Sequence, residues 1–282
     1  MSKEHTNRVL DRRRIMWGST LGMKRTPHEQ IDATAAAGYH YMSMSAHDMR
    51  GLDADGLGDL ARYGRERSVT IALIDGYYPW QPMSGSKLEG KVIGLDGILQ
   101  MAEILGSTFI GGLALPLGHP IEALIDGFAP HAAKVAEAGR IMTLEFAPVA
   151  GVTDLESALR VVGPAGFESA GIVFDTWHFY RGNPDFSVLE SLSGNEIKCV
   201  QFSDAAAQVN GTLWEDTISS RRQPGDGDFD LDRVTLALEK LGVLDWYGPE
   251  VISTELQEMG AVEAGKLSAR RLDQYLTGLF SR

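Results

Sequence analysis

The chain has 282 residues, enough for one large α/β domain or two small ones, and its 44% hydrophobic and 23% charged content is that of a globular protein. A formal net charge of −12 argues against nucleic acid as a partner, and no apolar run approaches the roughly 18 residues of a membrane span. The single cysteine, Cys199, excludes an internal disulfide and fits a reducing cytoplasm, the expected location.

The first segment, MSKEHTNRVLDRRR, is polar and lacks an apolar h-region, so it does not read as a secretory signal. Its Arg12, Arg13 and Arg14 read as a solvated flank. Apolar strands are predicted near residues 15–20, 39–44, 70–75, 108–113, 141–146, 170–175, 197–203 and 249–253. Between them runs a weak repeat: an Ala-rich helix, a glycine, then an apolar strand. It is seen in IDATAAAGYHYMSMS, MAEILGSTFIGG, AAKVAEAGRIMTLEF and LALEKLGVLDWYGPEVIS. Glycine after a helix permits the left-handed cap that turns the chain into the next strand. Helical period alternating with short apolar strands indicates βα units and a parallel sheet. Eight strands with helices between most of them predict a (β/α)8 TIM barrel, α/β in class, as a single domain over residues 1–282. A doubly wound sheet is the alternative. It normally carries a Gly-rich phosphate turn after its first strand, and IMWGSTLGMKRTP lacks that spacing.

The longest irregular stretches are GYYPWQPMSGS, ALPLGHP and DAAAQVNGTLWEDTISSRRQPGDGD. Each follows a predicted strand, on the face where barrel active sites lie. Trp17, Met44, His47, Tyr77 and Trp80 fall at or after the first three strands and could line a pocket. Of these, Trp17 and Tyr77 are taken as candidate substrate contacts. His119, in LGHP, and Cys199, in IKCVQF, read as surface or capping and as buried and inert, respectively.

Four polar side chains end four apolar runs: Glu145 in IMTLEF, Asp175 in GIVFDTWH, Gln201 in IKCVQF and Glu250 in YGPEVIS. A carboxylate at such a position is costly unless it is paired or binds metal. Four such polar ends, each from a different strand, suggest one shared site. The set offers oxygen ligands, which suit a hard divalent cation: Mn²⁺ first, with Mg²⁺ or Co²⁺ as alternatives. A ligand at this open end should carry little packing, so Asp175→Asn is expected to leave the fold largely intact. No P-loop, GxSxG or CxxC pattern is present, which removes support for phosphoryl transfer, acyl transfer and structural zinc.

The segments TLEFAP, FDTWHFYRG, VQFSDA, RRQPGDG and YGPEVIS together resemble the xylose-isomerase-like barrel superfamily, which includes sugar phosphate isomerases/epimerases, ketose 3-epimerases and inosose dehydratases. The resemblance spans nearly the whole chain and is dense from Glu145 onward. It implies a metal held by Glu145, Asp175, Gln201 and Glu250. Gln201 departs from the His usual in the epimerases, and Glu255 competes with Glu250 for the last ligand position. It also implies that His178, in DTWH, contacts a substrate oxygen. Arg222, in RRQPGDG, would reach over the substrate, with Arg221 able to trade roles. Glu215 and Asp216 in the same loop are weaker candidates.

Catalysis is accordingly assigned to Glu145, Glu250 and His178. The expected activity is metal-dependent isomerisation or epimerisation of a keto-sugar or related polyol through an enediolate. A lyase of the inosose dehydratase or glycoside-cleaving type is the alternative. A small-molecule-binding partner subunit is the non-enzymatic one. The expected partner is a small polyhydroxylated substrate; whether the chain forms a homo-oligomer or joins a partner subunit stays open.

Overall fold

Eight short apolar runs meet edge to edge in the computed structural model, which describes residues 12–282 apart from residues 85, 88 and 116. The segment read as lacking a secretory signal falls mostly on residues 1–11, outside the described residues. The strands are β1 Arg13–Met16, β2 Tyr41–Ser45, β3 Thr70–Tyr77, β4 Phe109–Leu113, β5 Ile141–Glu145, β6 Ala170–Asp175, β7 Ile197–Phe202 and β8 Trp246–Pro249. They pair in sequence order, all parallel, and β8 closes on β1. Seven outer helices are α1 Pro27–Ala36, α2 Ala54–Glu66, α3 Leu95–Leu105, α4 Ile121–Glu137, α5 Leu155–Val162, α6 Phe186–Glu190 and α7 Leu231–Leu241; α8, Ala261–Phe280, is the last. The chain is a single-domain (β/α)8 barrel, as its periodicity predicts. Among the described residues no helix is long and apolar enough to cross a membrane.

Local chemistry sets the boundaries. Thr26 and Glu29 form a reciprocal capping box at the start of α1, and Asp154 and Ser157 form one at the start of α5. The four glycines of the repeat, Gly38, Gly106, Gly139 and Gly242, all adopt positive φ, between 70° and 78°, the left-handed turn the repeat requires.

Strand residues alternate between two cores. Met16, Met42, Met44, Ile110, Met142, Leu144, Ile172, Phe174, Val200 and Tyr247 pack outward with helix residues such as Leu60, Leu238 and Leu272. Ile15, Trp17, Leu73, Phe109, Val173, Cys199 and Trp246 form a separate cluster that fills the barrel. Gly248 lets the barrel close: a Cβ there would lie 1.7 Å from the Ile15 carbonyl oxygen.

Three sequence expectations need correction. The first strand ends at Met16, and Gly18–Leu21 is a short helix. The last strand ends at Pro249, earlier than the predicted 249–253. Arg12 and Arg14 are not solvated: part-buried, they pair with Glu239 of α7 and Asp273 of α8 because the short strand at the closure lies within reach of both helices, whereas Arg13 is exposed and pairs with exposed Asp245.

Candidate active site

The in-facing alternation carries the predicted site residues to the C-terminal end of the barrel. Glu145 and Asp175 are the last residues of β5 and β6. Gln201 pairs with Asp175 across the β6–β7 ladder, and Glu250 follows β8 directly, its N–H donating to Phe202 O at 2.9 Å. One ligand atom each from Glu145, Asp175, His178 and Glu250 lie within 4.8 Å of one another, a group able to hold a metal ion.

Each member is fixed by named contacts. Asp175 is fully buried. Its Oδ1 accepts the His178 N–H at 2.8 Å, and its Oδ2 accepts Arg221 Nη1 at 2.7 Å. Burial opposes its charge, but the Arg221 guanidinium and His178 outweigh this and hold the carboxyl below its ordinary range. Asp175 is therefore part of the interior, not a cleft residue of little structural weight. Glu250 accepts Ser19 Oγ at 2.9 Å on Oε1 and Arg221 Nη1 at 3.1 Å on Oε2. Burial, and then the charges of Glu145 and Asp175, push its carboxyl well above the usual range despite Arg221. His178 Nε2 stands 3.3 Å from Glu145 Oε1, and its Nδ1 is buried without a hydrogen-bond partner.

Arg221 is 3% exposed and organises the ring. Besides the two carboxylates, it donates to Thr217 O at 3.1 Å and Thr217 Oγ1 at 2.8 Å, with Nη2 3.4 Å from His178 Nε2. Its guanidinium lies 5.2 Å from the centre of the Trp177 ring. Arg222 points the other way, half-exposed, toward Asp226 O and Asp228. Arg222 exchanges two backbone hydrogen bonds with Asp204, at 2.7 and 2.9 Å, while the Arg221 N–H donates to Ile252 O. In an extended segment so anchored, successive side chains face opposite sides, and 221 is the inward position.

The remaining candidates separate cleanly. Trp17, directly after β1, is buried in the barrel-filling cluster, its indole N–H without a hydrogen-bond partner. Tyr77 packs outward and faces His131 of α4, with ring centres 6.1 Å apart. A register shift between Ile74 and Tyr77, with Gly76 at φ 77°, reverses the alternation and turns Tyr77 away. Met44 and Trp80 also belong to the outer core, Trp80 edge-on to Phe128. His47 is exposed and His119 partly buried. Glu255 is exposed and outside the group, so Glu250 holds the strand 8 position. Asp216 binds Trp177 Nε1 and Arg181, and Glu215 caps the helix Leu213–Ser219. Cys199 is buried in the barrel interior, where burial pushes its thiol up and keeps it inert.

Asp75, near the C-terminal end of β3, was not singled out from sequence. It pairs in register with Ser45, stays partly exposed, and accepts the Gly76 N–H at 2.7 Å. Burial, and then the charge of Glu145, push its carboxyl up to about 7. The signal was present: TIALID ends an apolar run in an acid, as IMTLE does.

The donor set fits a divalent cation. Glu145, Asp175 and Glu250 against one guanidinium leave two negative charges without a partner, the charge of one such ion. Gln201 is fully buried, yet neither of its amide atoms has a hydrogen-bond partner, an arrangement that calls for an absent ligand.

The sequence matches the family described as xylose isomerase-like TIM barrel over residues 31–272. It is 23% identical over 266 residues to an inosose isomerase of Bacillus velezensis, covering 90% of this chain and 93% of the relative. Its fold is similar to the crystal structure of the IolI protein with a bound zinc atom (TM-score 0.81, 18% identity, 96% and 100% of the two chains). It is also similar to L-ribulose 3-epimerase (TM-score 0.72, 15% identity, 96% of each chain). The chain belongs to the xylose isomerase-like TIM barrel family.

Proposed function

We propose that this chain is a metal-dependent isomerase or epimerase acting on a keto-sugar or related polyol through an enediolate. The observation that carries the reading is the convergence of two acids from different strands, Glu145 and Glu250, in one group with Asp175 and His178. Inosose isomerase relatives support the substrate class. Glu145, Asp175, Gln201 and Glu250 would hold the ion, with His178 beside them. Their oxygen-rich chemistry favours Mn²⁺, although the IolI relative carries zinc. When bound, the ion supplies a Lewis acid that polarises the carbonyl and stabilises the enediolate.

The residues divide the proton work. One glutamate takes the proton from the carbon α to the carbonyl, and the bond's electrons move into the C–C–O system. The other returns a proton to the opposite face, which an epimerisation needs. Glu250, held by Ser19 and Arg221, and Glu145, beside His178, are the two proton carriers. His178 would donate to a substrate oxygen, and Arg221 holds the carboxylates in place.

A lyase reading rests on two features. Gln201 replaces the histidine usual in the epimerases, and His178, its Nε2 3.3 Å from Glu145, would protonate a leaving group. Proton exchange in D₂O tests both readings, using Mn²⁺-loaded protein with 2-keto-myo-inositol and D-fructose. Deuterium at the α-carbon, lost in both Glu145→Gln and Glu250→Gln, supports epimerisation. Dehydrated product dependent on Glu145 and His178 supports the lyase. Absence of exchange and of product with carbonyl polyols removes the enediolate chemistry and leaves the small-molecule-binding subunit.

A further inference from the structure

The side of the ring away from Arg221 carries acids. Asp75 on β3 sits in the same in-facing phase as Leu73, and its carboxyl feels the charge of Glu145. Its only hydrogen bond among the described residues comes from the Gly76 N–H on Oδ1, so Oδ2 is free to accept. Glycine stands at the in-facing position of β4 between them: a Cβ on Gly111 would come within 3.0 Å of Asp75 Oδ1. The missing side chain gives the carboxylate its room beside Leu73. Tyr78 lies at the same place, its phenol feeling the charges of both Asp75 and Glu145.

Arg221 is the one buried arginine or lysine among the described residues, and Asp175 and Glu250 already hold it. Arg181 is bound by Asp216, Arg25 donates to backbone carbonyls of Gln257 and Met259, and Arg222 faces outward. A phosphate or carboxylate on the ligand would face Asp75 with no second buried cation to receive it, and like charges repel strongly in a partly buried setting once Asp75 is ionised. Hydroxyl groups, in contrast, donate well to a carboxylate.

We propose that Asp75 is a specificity-determining residue that accepts hydrogen bonds from the distal hydroxyls of the substrate, and that the site selects an uncharged polyol ketone over phosphorylated or carboxylated sugars. The inference rests on the reading of the site as one for carbonyl polyols and names the charge class within it.

Calorimetry on Mn²⁺-loaded protein tests this with 2-keto-myo-inositol and D-fructose as neutral probes and D-fructose 6-phosphate as the charged one. Wild type is expected to bind a neutral probe at least tenfold more tightly than the phosphate. Asp75→Asn should keep its Mn²⁺ and melt no lower than wild type, bind the neutral probe about tenfold more weakly, and lose most of the discrimination. Asp75→Ala, measured alongside, should show the same loss. Tighter binding of the phosphate by wild type overturns the proposal, as does unchanged neutral-probe affinity in both variants. Failure of any polyol to bind overturns it together with the functional reading. Asp75-dependent binding without proton exchange leaves the proposal standing and removes only the enediolate chemistry.

Discussion

Asp175 and Arg221 form a buried ion pair, 2.7 Å from Oδ2 to Nη1, although they are 46 residues apart in sequence. The pair joins the end of β6 to the loop that follows β7, and the same guanidinium nitrogen reaches Glu250 after β8. One side chain thus locks three consecutive strand ends. Breaking a buried pair leaves the surviving charge without compensation, a larger penalty than the pair's own net worth.

Arg221→Gln should therefore destabilise the metal-free protein by about 3–5 kcal/mol, the usual cost of removing one partner of a buried pair. Three carboxylates would then face one another with no cation among them. Added Mn²⁺ should restore more stability to this variant than to wild type, because ligand linkage acts on the folded state alone. Urea unfolding with and without Mn²⁺ measures both effects; an equal metal increment in the two proteins would contradict the charge argument.

Asp175→Asn keeps an oxygen for the His178 N–H but removes the charge. Mn²⁺ affinity should fall at least about tenfold, or 1.4 kcal/mol, and unfolding free energy by about 1–3 kcal/mol, since Arg221 loses its main partner. The double variant Asp175→Asn/Arg221→Gln should cost clearly less than the sum of the two single changes, as residues in direct contact couple. Calorimetric titration and a double-mutant cycle check these values, and strict additivity would show that the pair is not energetically connected.

Asp75 makes stability depend on pH. Its carboxyl titrates at about 7 in the folded protein and near 3.9 in an unfolded chain (an approximate reference value). Between these values the folded state binds more protons than the unfolded one. Stability therefore falls as pH rises from about 4 to about 7 and is level above that, as far as this group is concerned. Metal-free Asp75→Asn should lose this component, becoming more stable than wild type at pH 8 and losing the advantage near pH 4. Parallel melting curves across that range in the metal-free proteins test it, and a pH-independent difference would refute the assignment.

Gly248→Ala should prevent closure of the barrel. The added Cβ would sit 1.7 Å from the Ile15 carbonyl oxygen, a backbone atom that cannot swing aside as a side chain can. The expected loss exceeds about 4 kcal/mol, the range of severe core disruption. Circular dichroism and soluble yield report the outcome; a folded, native-like Gly248→Ala would mean the β1–β8 seam is far more pliable than its geometry indicates.

Much of this molecule is written locally in its sequence. The alternation of helical and strand periods, with glycine at the exits of α1, α3, α4 and α7, determines the barrel, because each βα unit buries one apolar strip in a way its own residues specify. The acids at the ends of IMTLE and GIVFD were legible for the same reason: an apolar run does not end in a carboxylate without a partner. Asp75, ending TIALID, carried the same signal unnoticed. Tertiary structure decided the rest. Whether Arg221 or Arg222 enters the ring depends on one-residue phase, set by backbone bonds to Asp204 and Ile252, distant in sequence. Tyr77 was placed outside by a register shift against β4, which local composition does not encode. Charge balance was likewise hidden: the sequence marks three carboxylates, but only the folded chain brings a single arginine among them and leaves two charges unmatched.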